Sequence, residues 1–415
     1  MLALIPKIFF GKKNISKIKI QKSLVHQLQE AVLYVPYYQE LAKKNMIEYS
    51  DIRTFSDFIK FPITDSSEYR EKQKSKGEDY MLDQRLLKKA NYIQRSSGST
   101  GVPLTIKRTH DEYLTNIAKT IIMLQRSGLR PWGKTAAFVT PDRIVKSDSL
   151  LQKLGLYRRK TLGYTEPKDI ALILKNEKYD CLYGTRAHVE LVAEAAIKMN
   201  LQLKIKSVLI GSEIISDRAR DTIQKAFSPK IFSEWYGAVE TGVVAHKIND
   251  SYEVMKKTVH IREGKKHDGD MSEIILSSLF SKLQPILNYN IGDYVLGAVT
   301  DDVGTISSFK GVSGRENDYL ITQKGTKWSG IQLYSLIEAC NGVANFRVDN
   351  TSPGQLEIFV KFENDAKQEE RLNLEQKVLE RCLGEFDYKI VETNNLRTEN
   401  FYVNKVNFIY LGKKL

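Results

Sequence analysis

The segment RSSGSTGVPLTIKRT, residues 95–109, sets three serines, one threonine and two glycines ahead of the strand-like run LTIK. Backbone N–H groups of such a loop can converge on phosphate oxygens, and the hydroxyls add donors without bulk. The Walker spacing GxxxxGK followed by Ser or Thr is missing, so phosphate would be gripped in another manner, and a plain flexible turn is the alternative. Further along, EWYGAVETG at 234–242 places an aromatic, a glycine and a carboxylate close together after strand-like KIFSEW. Tyr236 offers a face for a base, and Glu240 offers hard oxygen ligands suited to Mg²⁺ beside phosphates. NYNIGDYV puts Asp293 just after a glycine, where a short carboxylate could accept hydrogen bonds from a ribose diol. Each of these, alone, could equally be a turn bearing a solvated acid. The histidines His26, His110, His188, His246, His260 and His267 form no pair at metal-ligand spacing, which argues against metal-assisted hydrolysis. His246 reads as structural or substrate-facing.

These residues need elements to position them. Residues 21–45 carry apolar positions at helical spacing until Pro36, which predicts a helix, a break and a second helix. Residues 51–72 read as loop-rich. The hydroxyl-rich loop lies between strand-like NYIQ and LTIK, which predicts a hairpin. From 111 to about 215 helices and strands alternate: DEYLTNIAKTIIMLQRSG, TAAFVT, CLYG, HVELVAEAAIKMN and SVLIGSE. That alternation implies an α/β fold with a largely parallel sheet, whose ligands sit at the carboxyl ends of the strands. Strand patterns dominate from 270 to 312. After Gly314 the composition changes, and a smaller unit carries strand-like LEIFVKF, a charged helix near NLEQKVLERCLG and strand-like KVNFIYLG. A boundary near Arg315 divides the chain into 1–315 and 316–415.

A chain of 415 residues exceeds what one hydrophobic core usually organises. Its 42% apolar and 27% charged residues are the balance of a folded protein. Lysine and arginine number 63 against 50 acids, a formal charge of +13. Such an excess attracts polyanions or anionic membranes and equally suits an enzyme of nucleotide substrates. With no zinc-type spacing and no nucleic-acid motif, nucleic acid is not an expected partner. Cys181, Cys340 and Cys382 are too few and scattered for a disulfide framework, which fits a reducing compartment and a cytoplasmic location. The N-terminal run MLALIPKIFFGKKN makes a poor signal peptide. Its lysines Lys7, Lys12, Lys13, Lys17 and Lys19 among Leu, Ile and Phe could lie on an anionic membrane surface or pack as a basic arm.

The order of segments is more specific than any one of them. SSGSTG, GSE at 211–213, YGAVETG, NIGD and GREND at 314–318 resemble, over nearly the whole chain, the adenylate-forming superfamily of acyl-CoA synthetases and related ligases. LYVPYYQEL at 33–41 followed by FPIT resembles the phenylacetate-CoA ligase family, including its branch associated with capsular and other surface polysaccharides. The resemblance implies a large N-terminal α/β domain binding ATP and acyl substrate, and a small mobile α+β lid. Ser96, Ser97, Gly98, Ser99, Thr100 and Gly101 would wrap the β- and γ-phosphates of ATP. Gly211, Ser212 and Glu213 would line the adenine pocket, Tyr236 beside Gly237 would stack on the base, Glu240 would hold Mg²⁺, and Asp293 and Arg315 would bind ribose. Lys405, in LRTENFYVNKVNFIYLG, matches the catalytic lysine, with Lys413 and Lys414 as competitors. Asn317 occupies the hinge position, where the family often carries Asp.

The acyl pocket should lie near residues 135–140, 183–188 and 236–243, lined by Tyr183, Arg186, His188 and Ala238. Arg186 could meet a second acidic group of the substrate or an internal carboxylate. Val102 and Leu104 stand where many relatives have lysine, and Asn290 replaces an arginine common before the ribose aspartate; Lys107 could restore charge near the loop. The implied function is an AMP-forming ligase that activates a carboxylic acid and transfers it to CoA or to an amine such as an amino sugar. An adenylating enzyme loading a carrier protein and a catalytically silent scaffold subunit of polysaccharide assembly are the alternatives.

Overall fold

The computed structural model describes residues 16–95, 104–138, 150–162, 166–211, 215, 217–267, 270–315, 319–330, 333, 336–337, 340–363, 365–393 and 409–411. Helices Lys17–Tyr34 and Pro36–Lys44 form where expected, with Pro36 at the first helical position, where its missing N–H leaves no bond unmade. The stretch expected to be loop-rich holds helices Phe55–Lys60 and Ser66–Lys76 instead. Thr54 with Asp57 closes a capping box on the first, and Asp65 accepts from Ser67 N and Glu68 N on the second. Both are too short to show a full periodic pattern.

The hairpin forms between Tyr92–Arg95 and Thr105–Arg108. A nine-stranded sheet is the scaffold, in the spatial order Val299–Thr300, Ile306–Phe309, Tyr252–Val254, Gly242–Lys247, Ile231–Ala238, Ser207–Gly211, Cys181–Thr185, Lys134–Phe138 and Arg158–Leu162. Its last five strands are mutually parallel. From Lys134–Phe138 the chain first winds outward to Arg158–Leu162 and then crosses to Cys181–Thr185. The order of winding therefore reverses between Phe138 and Tyr183, the place where open α/β sheets bind their ligands. Helices Pro167–Asn176, Arg186–Lys198 and Asp217–Phe227 bury Ala171, Val189, Ala193 and Ile223 against Val208 and Ile210.

A smaller sheet joins Thr64–Asp65, Tyr289–Leu296, Met271–Ser278 and Val259–His267, with Gly311–Arg315 also paired to Tyr289–Leu296. Tyr37, Tyr38, Tyr69 and Tyr289 pack with both sheets in one core. Beyond Arg315 a four-stranded sheet, Asp387–Glu392, Gln355–Phe362, Val343–Ser352 and Ile409–Leu411, is covered by helix Gln368–Cys382. Alternation in QLEIFVKF buries Leu356, Ile358, Val360 and Phe362 on one face, as period-two spacing dictates. The core of this small unit is drawn from Leu320 to Ile390 and is separate from the others. No helix among the described residues is long and apolar enough to cross a membrane.

Candidate active site

Strand Ile231–Ala238 lies near the middle of the large sheet and runs through Tyr236 and Gly237, beyond the KIFSEW run that marks it in sequence. Its pairing with Gly242–Lys247 shifts register between Tyr236 and Gly237, and the intervening turn, residues 239–241, carries Glu240. Two buried cations hold that turn by its main chain. Arg108, at the end of the hairpin, donates through Nη2 to Val239 O and, at 3.1 Å, to Glu240 O. Lys119, on helix His110–Arg126, donates through Nζ to Thr241 O at 2.6 Å. Three successive carbonyls are thus taken by two side chains that are 2% and 0% exposed. Neither cation makes an ion pair among the described residues. Burial pushes the Arg108 guanidinium down to about 10, and burial together with the Arg108 charge pushes Lys119 well below the usual lysine range.

The acids of the site are held from the opposite sheet. Tyr236 OH donates to Asp293 Oδ2 at 2.6 Å, and Tyr289 OH donates to Glu240 Oε1 at 2.7 Å. Each carboxylate sits on one sheet and its phenol on the other, so the two bonds run in opposite senses. Burial, with the Glu240 charge adding to it, holds the Tyr289 phenol well above its ordinary range, so it remains a donor at neutral pH. Asp293 is directly opposite Arg315 in the antiparallel pairing, which brings the two residues expected at ribose together. Gly292, at φ +79°, lies inside the strand just before Asp293, where the pairing with Met271–Ser278 shifts register, and its N–H donates to Asn290 Oδ1 at 2.8 Å.

A second group surrounds the strand ends. A Cβ on Gly211 would lie 2.1 Å from the Trp235 indole, and one on Gly237 would meet Gly242 O at 2.5 Å and the same indole at 2.9 Å. Trp235 therefore lies flat over two glycines and stacks on Tyr183, ring centres 6.0 Å apart. Ala238 is opposite Gly242, and the Asn116 carboxamide fills the space over Gly242. Arg186 opens helix Arg186–Lys198 and reaches Glu190 at 3.5 Å, which is the internal-carboxylate alternative. His188 Nδ1 is 2.6 Å from Thr185 Oγ1, and burial pushes its imidazole down to about 4, so it is neutral at pH 7. His246 sits in a buried cluster, Nε2 at 3.2 Å from Ser127 Oγ, which is itself 2.8 Å from Ser233 Oγ.

One expectation is corrected. Lys107 does not supply charge to the hydroxyl-rich loop: its ammonium is 2.8 Å from Asp79 and 3.0 Å from Glu78. Leu104 is fully buried in the main core, so its apolar character serves packing. Asn290 donates to Glu273 Oε1 at 2.6 Å. Ser96, Ser97, Gly98, Ser99, Thr100, Gly101, Ser212, Glu213, Asn317 and Lys405 lie outside the described residues, as do Val102, Lys413 and Lys414. Arg108, Lys119, Tyr289 and Trp235 were not singled out from sequence. A signal existed for Lys119, which shares a buried helix face with Glu112 and Met123 at spacings of seven and four.

The large mixed sheet, the second sheet at its side and the small C-terminal α+β unit together have the fold of the adenylate-forming acid–CoA ligases. The chain superposes with a TM-score of 0.75 on 2-hydroxyisobutyryl-CoA ligase in its postadenylation state with R3-HIB-AMP, at 16% identity over 95% of this chain and 90% of that one. An anthranilate-CoA ligase in complex with anthranoyl-AMP matches with a TM-score of 0.52 and 13% identity, over 74% and 64% of the two chains. In sequence, protein CapK of Staphylococcus aureus is 21% identical over 406 residues, 91% of this chain and 83% of that protein. No protein-family model matches the chain.

Proposed function

We propose that the protein is an ATP-dependent, AMP-forming ligase that activates a carboxylic acid as an acyl-adenylate and passes the acyl group to CoA or an amine, in surface polysaccharide synthesis. The observation that carries the reading is the pair of carboxylates, Glu240 and Asp293, each fixed by a phenol from the facing sheet, with Arg315 opposite Asp293. Solved structures of the same fold hold acyl-adenylates. The polysaccharide setting rests on the LYVPYYQEL and FPIT motifs and on the likeness to CapK.

A single buried carboxylate, held through one oxygen by the Tyr289 phenol, fits one protein ligand for Mg²⁺, which keeps most of its shell as water and phosphate oxygen. Glu240 would be that ligand, and the ion would neutralise charge on the triphosphate. Asp293 and Arg315 would take the ribose, and Tyr236, whose edge meets Phe309, would lie along the base. Ser96 to Gly101 would grip the β- and γ-phosphates, and Gly211 to Glu213 would border adenine. In the first step a carboxylate oxygen of the acid bonds the α-phosphorus while the bond to the bridging oxygen of pyrophosphate breaks. A carboxylate is a weak nucleophile repelled by the triphosphate, so the catalytic task is charge neutralisation and alignment. Lys405 would bring the cation from the small unit, turning about Asn317. In the second step the thiol or amine bonds the acyl carbon and AMP leaves. Trp235, stacked on Tyr183 at the reversal of the sheet's winding, would be one wall of the acyl pocket.

The test is pyrophosphate release from ATP and Mg²⁺ across aryl, short-chain, hydroxy and amino acids, with hydroxylamine trapping the adenylate. Release that depends on one acid, and that falls in Lys405→Ala, is expected. Silence across the panel, with no thermal stabilisation by ATP and Mg²⁺, would overturn the reading in favour of a scaffold.

A further inference from the structure

The five parallel strands all begin at one end of the large sheet, opposite the end where Tyr183, Gly211 and the Glu240 turn lie. The segments leading into them, residues 128–133, 154–157, 177–180, 201–206 and 228–230, contain two carboxylates, Glu177 and Asp180. Both are neutralised: Glu177 lies between Lys134 and Lys160, and Asp180 meets Lys206 at 2.5 Å. Around them Arg130, Arg158, Arg159, Lys178, Lys204 and Lys230 are exposed. Strands spaced about 4.8 Å apart spread these charges over roughly 19 Å, with neighbours inside or near the Debye length of about 8 Å.

Two ordinary explanations cover part of this surface. Charged residues guard an edge strand against pairing with another chain, which accounts for Arg158 and Arg159. Lysines in the last turn of a helix compensate its dipole, which accounts for Lys175 and Lys198 at the same end. Neither explains Lys178 or Lys230, which belong to strand-leading loops, nor the apolar tips beside them. Trp132 is 62% exposed and Leu154 60% exposed. Their two turns touch: Tyr157 N donates to Pro131 O, and Arg158 Nη2 donates to Trp132 O at 3.1 Å.

We propose that this end of the sheet docks on an anionic phospholipid bilayer, with Trp132 and Leu154 entering the interfacial layer and the arginines and lysines resting on headgroups. An indole and a leucine on adjoining tips within a basic field match the interface, where Trp is favoured and each basic residue strengthens attachment. A single-stranded nucleic acid would call for a row of stacking aromatics along a basic groove, and one exposed indole does not supply it. The docked orientation points the carboxyl ends of the strands, and the candidate active site, away from the lipid and toward soluble nucleotide.

The test is vesicle flotation with the full chain, comparing phosphatidylcholine alone with vesicles holding about 30% phosphatidylglycerol. Binding to the anionic vesicles only, weakened by salt, is expected. The triple variant Arg159→Glu, Lys178→Glu, Lys230→Glu should lose at least about a hundredfold in partitioning, from roughly fivefold for each charge removed. None of these three side chains makes an ion pair among the described residues, so the fold should be kept, as circular dichroism would verify. Quenching of tryptophan fluorescence by brominated lipid should be lost in Trp132→Phe, a readout that charge attraction alone does not move. The proposal is overturned if the chain ignores anionic vesicles, or if charge reversal at Lys7, Lys12 and Lys13 abolishes binding while the triple variant binds fully. Binding that is competed equally by RNA or an acidic protein, with no quenching at Trp132, overturns it as well.

Discussion

Replacing Lys119 with methionine separates the stability of the site from its function. The ammonium is fully buried, makes one hydrogen bond of 2.6 Å to Thr241 O and lies 4.8 Å from the centre of the Phe280 ring. Keeping an ammonium out of water costs several kcal/mol even after relaxation, and methionine fills nearly the same length without charge. Against that relief stand a lost charge-assisted bond and a Thr241 carbonyl left without its donor, together about 2–4 kcal/mol. The terms are comparable, so Lys119→Met should unfold within about 1 kcal/mol of the parent in urea. Function has no such compensation, because the turn presenting Glu240 keeps only the ties from Arg108. Acid-dependent pyrophosphate release should fall by at least about tenfold, and the Mg²⁺ concentration for half-maximal rate should rise. Two results would refute the reasoning: a loss of stability above about 3 kcal/mol, which would make Lys119 a structural anchor, or a parental rate with parental Mg²⁺ dependence.

Other perturbations test separate parts of the structure. Tyr236→Phe removes the donor to Asp293 and should weaken ATP binding by about 1.5–3 kcal/mol, read as a smaller thermal shift; an undiminished shift would detach Asp293 from the nucleotide. His188, His246 and His260 are each pushed from 6.5 down to about 4 by burial, so the unfolded chain takes up protons first as pH falls. Stability is whole above about pH 6.5 and should be lost between there and about pH 4, roughly 2 kcal/mol per histidine by pH 5; His246→Gln should flatten that slope by one histidine's share in urea melts. Gly211→Ala places a methyl into the Trp235 indole and should cost about 1–3 kcal/mol, recovered in part by Trp235→Leu; full stability of the single variant would show that the indole moves aside freely.

Sequence reveals what is local. The alternation of helices and strands, Pro36 opening a second helix, and glycines beside Glu240 and Asp293 all act within a few residues, and each has its counterpart in the structure. The two short helices between 55 and 76 were hidden because six and eleven residues carry too little periodicity, although Thr54, Asp57 and Asp65 were standing as caps. The grip on the Glu240 turn was hidden for a different reason. Arg108 and Lys119 bond to main-chain carbonyls more than 120 positions away, and a carbonyl leaves no mark on residue identity. A buried lysine on an amphipathic helix is the one trace, and it names the donor without naming the acceptor. Tyr289 reads as an ordinary core aromatic until its phenol is seen at Glu240.

The reciprocal arrangement of Tyr236 with Asp293 and Tyr289 with Glu240 has a further physical consequence. If each phenol sat on the same sheet as its carboxylate, a shift of the other sheet would leave both bonds intact. Because each bond spans the two sheets, a slide of one past the other strains both at once, and bonds to charged groups are worth about 1.5–3 kcal/mol each. The separation of the two acids is therefore set by the packing of the large unit alone, through the core that Tyr69 and Tyr289 share. Among the described residues the small unit takes no part in either bond. In the proposed reaction the cation it would carry at Lys405 can then approach for the first step and withdraw for the second while Glu240 and Asp293 stay where the sheets hold them.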